Sequence, residues 1–464
     1  MKIFNIKYYF LLIVLISSCT KFVEIDPPRT ALERSTVFAN QETAEAAVRG
    51  LYFTLNGGST WSSFTGGGGS ITFLTALSAD ETVTTSSGVS FDVFKNNTLL
   101  STTLSLSTLW NKMYETIYKA NAVIEGVNNS EELSSALKSK FEGEAKVIRA
   151  FCHFYLANLF GDIALVLTTD YRANNIAGRT AVADIYEQVI TDLKEAQTLL
   201  LPSYNTGSIE RVRIDWGAAT ALLARAYLYK GDWANAEIQA TNCINAGPYS
   251  LQSNLDNVFL KGSSEAIWQL SNDKNNSGDA IAFITQKYVI LRQELLNGFE
   301  SGDKRRVNWI KGITNTTNYC TNKHKVATSS PITEYQMVFR LAEQYLIRAE
   351  ARIQQPGKIA DGIADLNVLR ARARATATAE VPNPLPAFSA TLSKEDALAA
   401  VEQERRIELF TEWGHRWFDL KRTGRVDAVI GALKSSWTST AALYPLPQNQ
   451  LLNSNMEQNP GYDE

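Results

Sequence analysis

The chain has 464 residues, 45% of them hydrophobic and 10% aromatic, enough apolar material for one large core or two interlocked ones. Its 45 basic and 48 acidic residues leave a formal net charge of -3, and the absence of a basic excess excludes nucleic acid as the main partner. Four cysteines, at positions 19, 152, 243 and 320, have no paired spacing, so no disulfide framework is implied.

Residues 1–18 have the build of an export signal. Lys2 and Lys7 come without an acid, residues 8–16 are an unbroken apolar run, and Ser17-Ser18 supplies small residues before Cys19. Nine apolar residues are too few to span a bilayer, and no later segment is apolar enough to do so. Leu15-Ile16-Ser17-Ser18-Cys19 resembles the lipobox of bacterial lipoproteins, which makes Cys19 the expected acylated first residue of the mature chain. Residues 19–31 then form a tether, because Asp26-Pro27-Pro28 disfavours helix.

The body is expected to run from 32 to 464 as a single domain. Ala44, Ala47, Val48, Leu51 and Tyr52 have helical spacing in a helix over 42–55. Six glycines between 57 and 70 then break the pattern and leave Trp61 and Phe64 in a flexible loop. Asp80-Glu81 follows an apolar stretch, and residues 86–106 are rich in Ser, Thr and Asn around Phe91 and Phe94. Helices are predicted from 110, over 137–160 and over 182–200. The clearest unit is 216–248, where Leu223, Ala224, Tyr227, Gly231, Trp233, Ala236, Ala240, Cys243 and Pro248 fall at the offsets of a tetratricopeptide helix pair. Such a pair cannot bury its own apolar face and needs stacked neighbours. Arg149-Ala150, Arg225-Ala226 and Arg348-Ala349 echo one another mid-helix at irregular intervals, as repeats with insertions would. Residues 250–335 read as a loop-rich insertion. Helices resume over 338–354, 360–374 and 394–413, giving tetratricopeptide units at about 110–250 and 338–424. The fold class expected is mainly all-α: a helical-repeat scaffold carrying long loop-rich insertions.

Catalytic signatures are missing. The three histidines, His153, His324 and His415, belong to no HExxH, and no Gly-x-Ser-x-Gly, Walker or GxGxxG pattern occurs. Cys320 and His324 are two ligands where zinc needs more. Asp273, Asn275, Ser277 and Gly278 imitate the start of a calcium loop, but its twelfth position is Ile284 where a bidentate Glu is required. No enzyme activity, metal or cofactor is expected. Glu404, Arg405, Arg406, Glu408, His415, Arg416 and Asp419 are expected to cap helices and link repeats.

Several blocks in fixed order carry a wider resemblance. They are Cys19 with Phe22 and Asp26-Pro27-Pro28; Leu109-Trp110 through Ala120-Asn121; Arg340-Leu341-Ala342-Glu343 with Tyr345 through Ala351; Asp365-Leu366-Asn367; Glu404-Arg405-Arg406 through Arg422; Tyr444-Pro445-Leu446-Pro447; and Asn459-Pro460-Gly461. Over nearly its whole length the chain resembles the SusD/RagB family. The resemblance implies an outward-facing outer-membrane lipoprotein that binds nutrients, usually glycans, and works with a SusC-like TonB-dependent transporter. It implies an N-terminal SusD-like part at about 32–210. Peptide uptake by a member of the same family, or a scaffold lipoprotein without ligand, are the alternatives.

Sugars present C–H faces that stack on aromatic rings, while their hydroxyls need polar partners. Trp61, Phe64, Asp80, Phe91, Phe94 and Asn96 offer that mixture where members of the resembled family place their site, and Trp309 with Tyr319 forms a second candidate patch.

Overall fold

The computed structural model describes residues 34–56, 64–85, 90–200, 210–272 and 276–462. Cys19, the signal segment, Trp61 and the Asp273–Asn275 part of the calcium-loop imitation lie outside the described residues.

Helices dominate, in keeping with the periodicity of the sequence. In chain order the elements used below are α1 (Gln41–Asn56), α2 (Ile71–Ser78), β1 (Thr82–Thr84), α3 (Leu104–Asn129), α4 (Ser135–Phe160) and α5 (Val182–Leu200). Then come α6 (Trp216–Lys230), α7 (Trp233–Ala246), β2 (Ala266–Leu270), β3 (Val289–Leu291), β4 (Ile310–Gly312), β5 (Tyr319–Thr321) and β6 (Gln336–Arg340). The last are α8 (Leu341–Gln354), α9 (Ile359–Ala373), α10 (Lys394–Glu408) and α11 (His415–Arg422). From α3 to α9 each helix packs on the next, and α8 also holds α10. This is the stacked arrangement in which one hairpin's apolar face is covered by its neighbours.

The hairpin α6–α7 shows how the sequence sets local geometry. Asp215 caps α6, its carboxylate accepting from Ala218 N–H at 3.0 Å, and Gly231 ends the helix at φ 78°. Only glycine adopts that left-handed conformation without a Cβ penalty. Asp232 then caps α7 through Asn235 N–H. Ala218, Ala221, Ala224, Ala236 and Ala240 are all wholly buried, which lets the two helices approach closely.

The three echoed arginines have a common role. Arg149 grips Asp192 of α5 through two bonds of 2.8 and 2.6 Å. Arg225 grips Glu343 of α8 at 2.6 and 2.7 Å, and Arg348 grips Asp365 of α9 at 3.0 and 2.6 Å. Each is a bidentate guanidinium–carboxylate pair joining two helices of the stack, so the echo marks the register between helices.

Two predicted helices are shorter than expected. Residues 338–340 belong to β6, which pairs antiparallel with β2 through Ala266–Arg340 and Leu270–Gln336, and α8 starts only at Leu341. The run Met337-Val338-Phe339 is buried on both faces and so lacks the alternation that marks a strand. The helix expected over 394–413 stops at Glu408, because Thr411, Trp413 and Gly414 take positive φ values of 49°, 48° and 74°. That turn places the Trp413 indole N–H on Met337 O at 2.6 Å. Two further two-stranded ladders, β1–β3 and β4–β5, lie in the segments between helices.

Candidate functional site

The structure buries most of the aromatic side chains that the sequence offered as ligand contacts. Phe64 is 1% exposed, and the neighbouring Thr65 hydroxyl ties its segment to Leu55 O at 2.6 Å. Phe91 lies 4.9 Å from Phe73, and Phe94 is wholly buried 5.8 Å from Tyr444. Trp309 is likewise wholly buried; its indole donates to Leu255 O at 3.0 Å, with the Lys323 ammonium 4.9 Å over the ring. These rings anchor their loops to the core and present no face to a ligand, which corrects the expectation for all four.

Asp80 is corrected too. It receives two bonds from Arg416, at 2.7 and 3.0 Å, and a second cation, Arg406, lies at 2.8 Å. Burial alone would raise its pKa, but hydrogen bonding and charge from Arg416, with Arg406, outweigh this and hold the carboxyl below its usual range. A carboxylate so fully engaged joins α2 to α11. Its neighbour Glu81, buried beside that charge, is pushed up to about 7 and accepts from Thr411 N–H at 3.1 Å.

Two candidates stay near the surface. Asn96 is exposed, its backbone carbonyl accepting from Ser436 at 2.6 Å. Tyr319 is half-buried in β5 under the Arg306 guanidinium, 4.6 Å from the ring centroid. Tyr319 sits on β5, which packs on β3, and β3 in turn pairs with β1.

The arrangement best suited to a ligand is one the sequence reading passed over. A cleft of about 460 Å³ opens at the C-terminal end of α1, between Arg49, Phe53 and Asn56 and the segment after β2, Ser271 and Asn272. Phe53 is 71% exposed, so an aromatic ring stands in solvent beside amide and guanidinium groups. The cleft floor is fixed. Arg213 donates to both oxygens of Glu144 at 2.8 Å, the Tyr52 hydroxyl donates to the same carboxylate, and Ile214 N–H donates back to Tyr52 Oη at 3.0 Å. Arg213 also lies 5.1 Å over the Tyr52 ring. Asn56 holds the two walls together, donating to Ser271 O at 2.6 Å. The Arg49 side chain is 74% exposed and, among the described residues, pairs with Glu45 at 3.3 Å.

The signal for this cleft was present in α1. Ala44, Val48, Leu51 and Leu55 form the buried stripe, and Phe53 falls opposite it with Arg49 and Asn56. A large aromatic residue on the polar face of an amphipathic helix is the feature to look for. Asn56 and Asn272, which line the cleft, are the last described residues before 57–63 and 273–275.

Among the described residues no group of His, Cys, Asp and Glu side chains is placed to hold a metal. Cys320 and His324 are both buried, with the thiol turned to Lys311 O. Among the described residues, too, no helix is long and apolar enough to cross a membrane.

Comparison with known proteins agrees with the helical fold. Residues 72–228 match a family model described as "Starch-binding associating with outer membrane", and residues 272–462 match that of the SusD family. SusD-like protein P25 of Formosa agariphila is 27% identical over 60% of this chain and 53% of its own length. SusD-like protein P2 of the same organism is 24% identical over 100% of both chains. Among solved structures, a laminarin-binding SusD-like protein superposes with a TM-score of 0.72 at 23% identity, covering 91% of this chain and 100% of the other. A SusD superfamily protein from Parabacteroides distasonis gives 0.75 at 22% identity, covering 91% and 99%. The two family models together span more than half of the sequence, and the full-length fold agrees with both: this chain belongs to the SusD/RagB family.

Proposed function

We propose that the protein is a surface glycan-binding lipoprotein, anchored to the outer membrane through Cys19 and facing outwards, that captures an oligo- or polysaccharide and delivers it to a SusC-like TonB-dependent transporter. Binding and release carry the function, with no bond chemistry. The observation that supports this reading most is the exposed Phe53 ring above a rigid polar floor, beside Asn56, Asn272 and the exposed Arg49. A pyranose ring stacks its C–H face on Phe53 while amide and guanidinium groups take its hydroxyls. Trp61, five positions after Asn56 in the sequence, is the proposed second platform, and Asn96 and Tyr319 are proposed as outer contacts. Family membership and the laminarin-binding neighbour support glycan as the ligand class.

Affinity electrophoresis on a glycan panel that includes laminarin, followed by calorimetry on whatever is retained, tests the assignment. Phe53→Ala and Trp61→Ala are each expected to weaken binding, whereas Trp309→Ala, once shown to be folded, is expected to bind as the parent does. Binding that survives both changes intact would remove the site; a protein that retains peptides and no glycan would replace the ligand class.

A further inference from the structure

A second cavity lies away from the Phe53 cleft and has no part in the reading above. It measures about 830 Å³ and opens between the end of α4, the start of α5, α11 and the C-terminal tail. Two basic side chains in its lining, Arg179 and Lys421, make no ion pair among the described residues. The Arg179 guanidinium donates to Asp162 O and Glu457 O, both at 2.9 Å, and to Asn459 Oδ1 at 2.5 Å. All three acceptors are neutral. The Lys421 ammonium donates to Asn158 O, a backbone carbonyl, and among the described residues it too makes no ion pair. Their neighbour Arg422 shows the contrast, since Glu350 and Asp419 match its charge at 2.5 and 2.8 Å.

A cation held by neutral acceptors in a partly desolvated wall is incompletely stabilised, and an anion entering the cavity supplies what the protein does not. Burial alone pushes Lys421 down to about 7. Two carboxylates stand on the rim, Asp162 and Glu457. Both are exposed, and Asp162 is occupied by Val182 N–H at 2.9 Å at the start of α5. Water screens these rim charges more than it screens the inner wall.

We propose that this cavity is a second ligand site, specific for a small oxyanion-bearing molecule such as a uronic acid, with Arg179 and Lys421 as its anion-binding pair. Arg179 is already braced by three bonds, so it meets the ligand without losing much side-chain freedom. The cavity has room for a monosaccharide around the anionic group. The two sources of an oxyanion, a carboxylate on a sugar and a free inorganic anion, share this recognition.

Calorimetry on the full mature chain with sodium glucuronate, glucose and sodium sulfate tests it. Glucuronate is expected to bind saturably and glucose not at all; sulfate is expected to compete with glucuronate. Arg179→Gln and Lys421→Met should each weaken glucuronate about tenfold, as loss of one charge-assisted contact does. Glu457→Gln, which removes a repelling rim charge, should tighten it. Phe53→Ala should leave it unchanged, and this separates the site from the glycan cleft. Absence of saturable glucuronate binding, equal binding of glucose, or unaltered affinity in both folded cation variants would overturn the proposal. So would loss of glucuronate binding in Phe53→Ala.

Discussion

Phe53→Ala is the change whose consequences follow most directly from the structure. With 71% of Phe53 outside the protein, and roughly 150 Å² as the area such a ring can bury, about 100 Å² is available to a ligand. A sugar stacked on one face covers roughly half of that. At about 25 cal/mol per Å² this is worth ~1.3 kcal/mol, close to a tenfold rise in Kd. The same exposure means that the folded chain loses little packing, so stability should change by less than about 0.5 kcal/mol. Isothermal calorimetry with the best-retained glycan, paired with a thermal melt, reads both quantities. The reasoning fails if affinity for every retained glycan is unchanged, or if the melt falls by several degrees, since the second result would make Phe53 a packing residue.

Trp309→Ala should do the reverse, costing about 3–5 kcal/mol in a denaturant titration while the folded fraction binds glycan normally, because the ring fills a core and its N–H is satisfied internally. Glu343→Gln removes the partner of a buried guanidinium and should cost about 3–5 kcal/mol, with a visible loss of melting cooperativity. A stability-versus-pH series addresses Asp279, which burial raises from 3.8 to about 7 against the bond from Gln336. A folded-state pKa above the unfolded one means that the native state holds the extra proton. Its contribution is therefore full below pH 3.8 and is lost as pH rises to about 7. Asp279→Asn cannot lose that proton, so its melting temperature should gain on the parent's between pH 4 and pH 8; parallel curves would show that Asp279 does not titrate in this range.

The helices were legible because their signals are local: apolar spacing, an Asp cap, a glycine at the turn. What escaped was set by distant residues. Nothing near Phe64, Phe91, Phe94 or Trp309 distinguishes a ring that pins a loop from one that meets a ligand, since all four sit among polar and glycine-rich neighbours in the sequence. The difference lies in Phe73, Tyr444 and Leu255, which lie up to 350 positions away in the chain. Phe53 was legible in principle, from its place opposite the buried stripe of its own helix, yet an aromatic next to Tyr52 reads easily as more core.

The same principle accounts for the dense charge at the C-terminal end of the scaffold. Arg340, at the end of β6, bonds Glu265 at 2.9 Å, Glu408 at 2.6 Å and Glu412 at 2.8 Å. Arg305 reaches Glu404 at 2.6 Å and Glu408 at 2.8 Å, and Lys323 reaches Glu412 at 2.5 Å while lying 4.1 Å over Phe410. Arg372 completes the set on Glu408, whose carboxyl is driven far below its ordinary range by these three guanidiniums even though burial opposes the shift. Every cation of this network from 265–340 finds at least one acid on α10 or the turn after it. Ionic groups so deeply buried add little net stability compared with apolar packing. What they do is penalise every alternative seat for the segment, because moving it by one residue would strand several charges at once. A long, loop-rich segment with little regular structure of its own is thereby held in one position on the helical stack. Fixed in that position, the segment presents Ser271 and Asn272 opposite Phe53, so the geometry of the proposed ligand cleft depends on charges outside its lining.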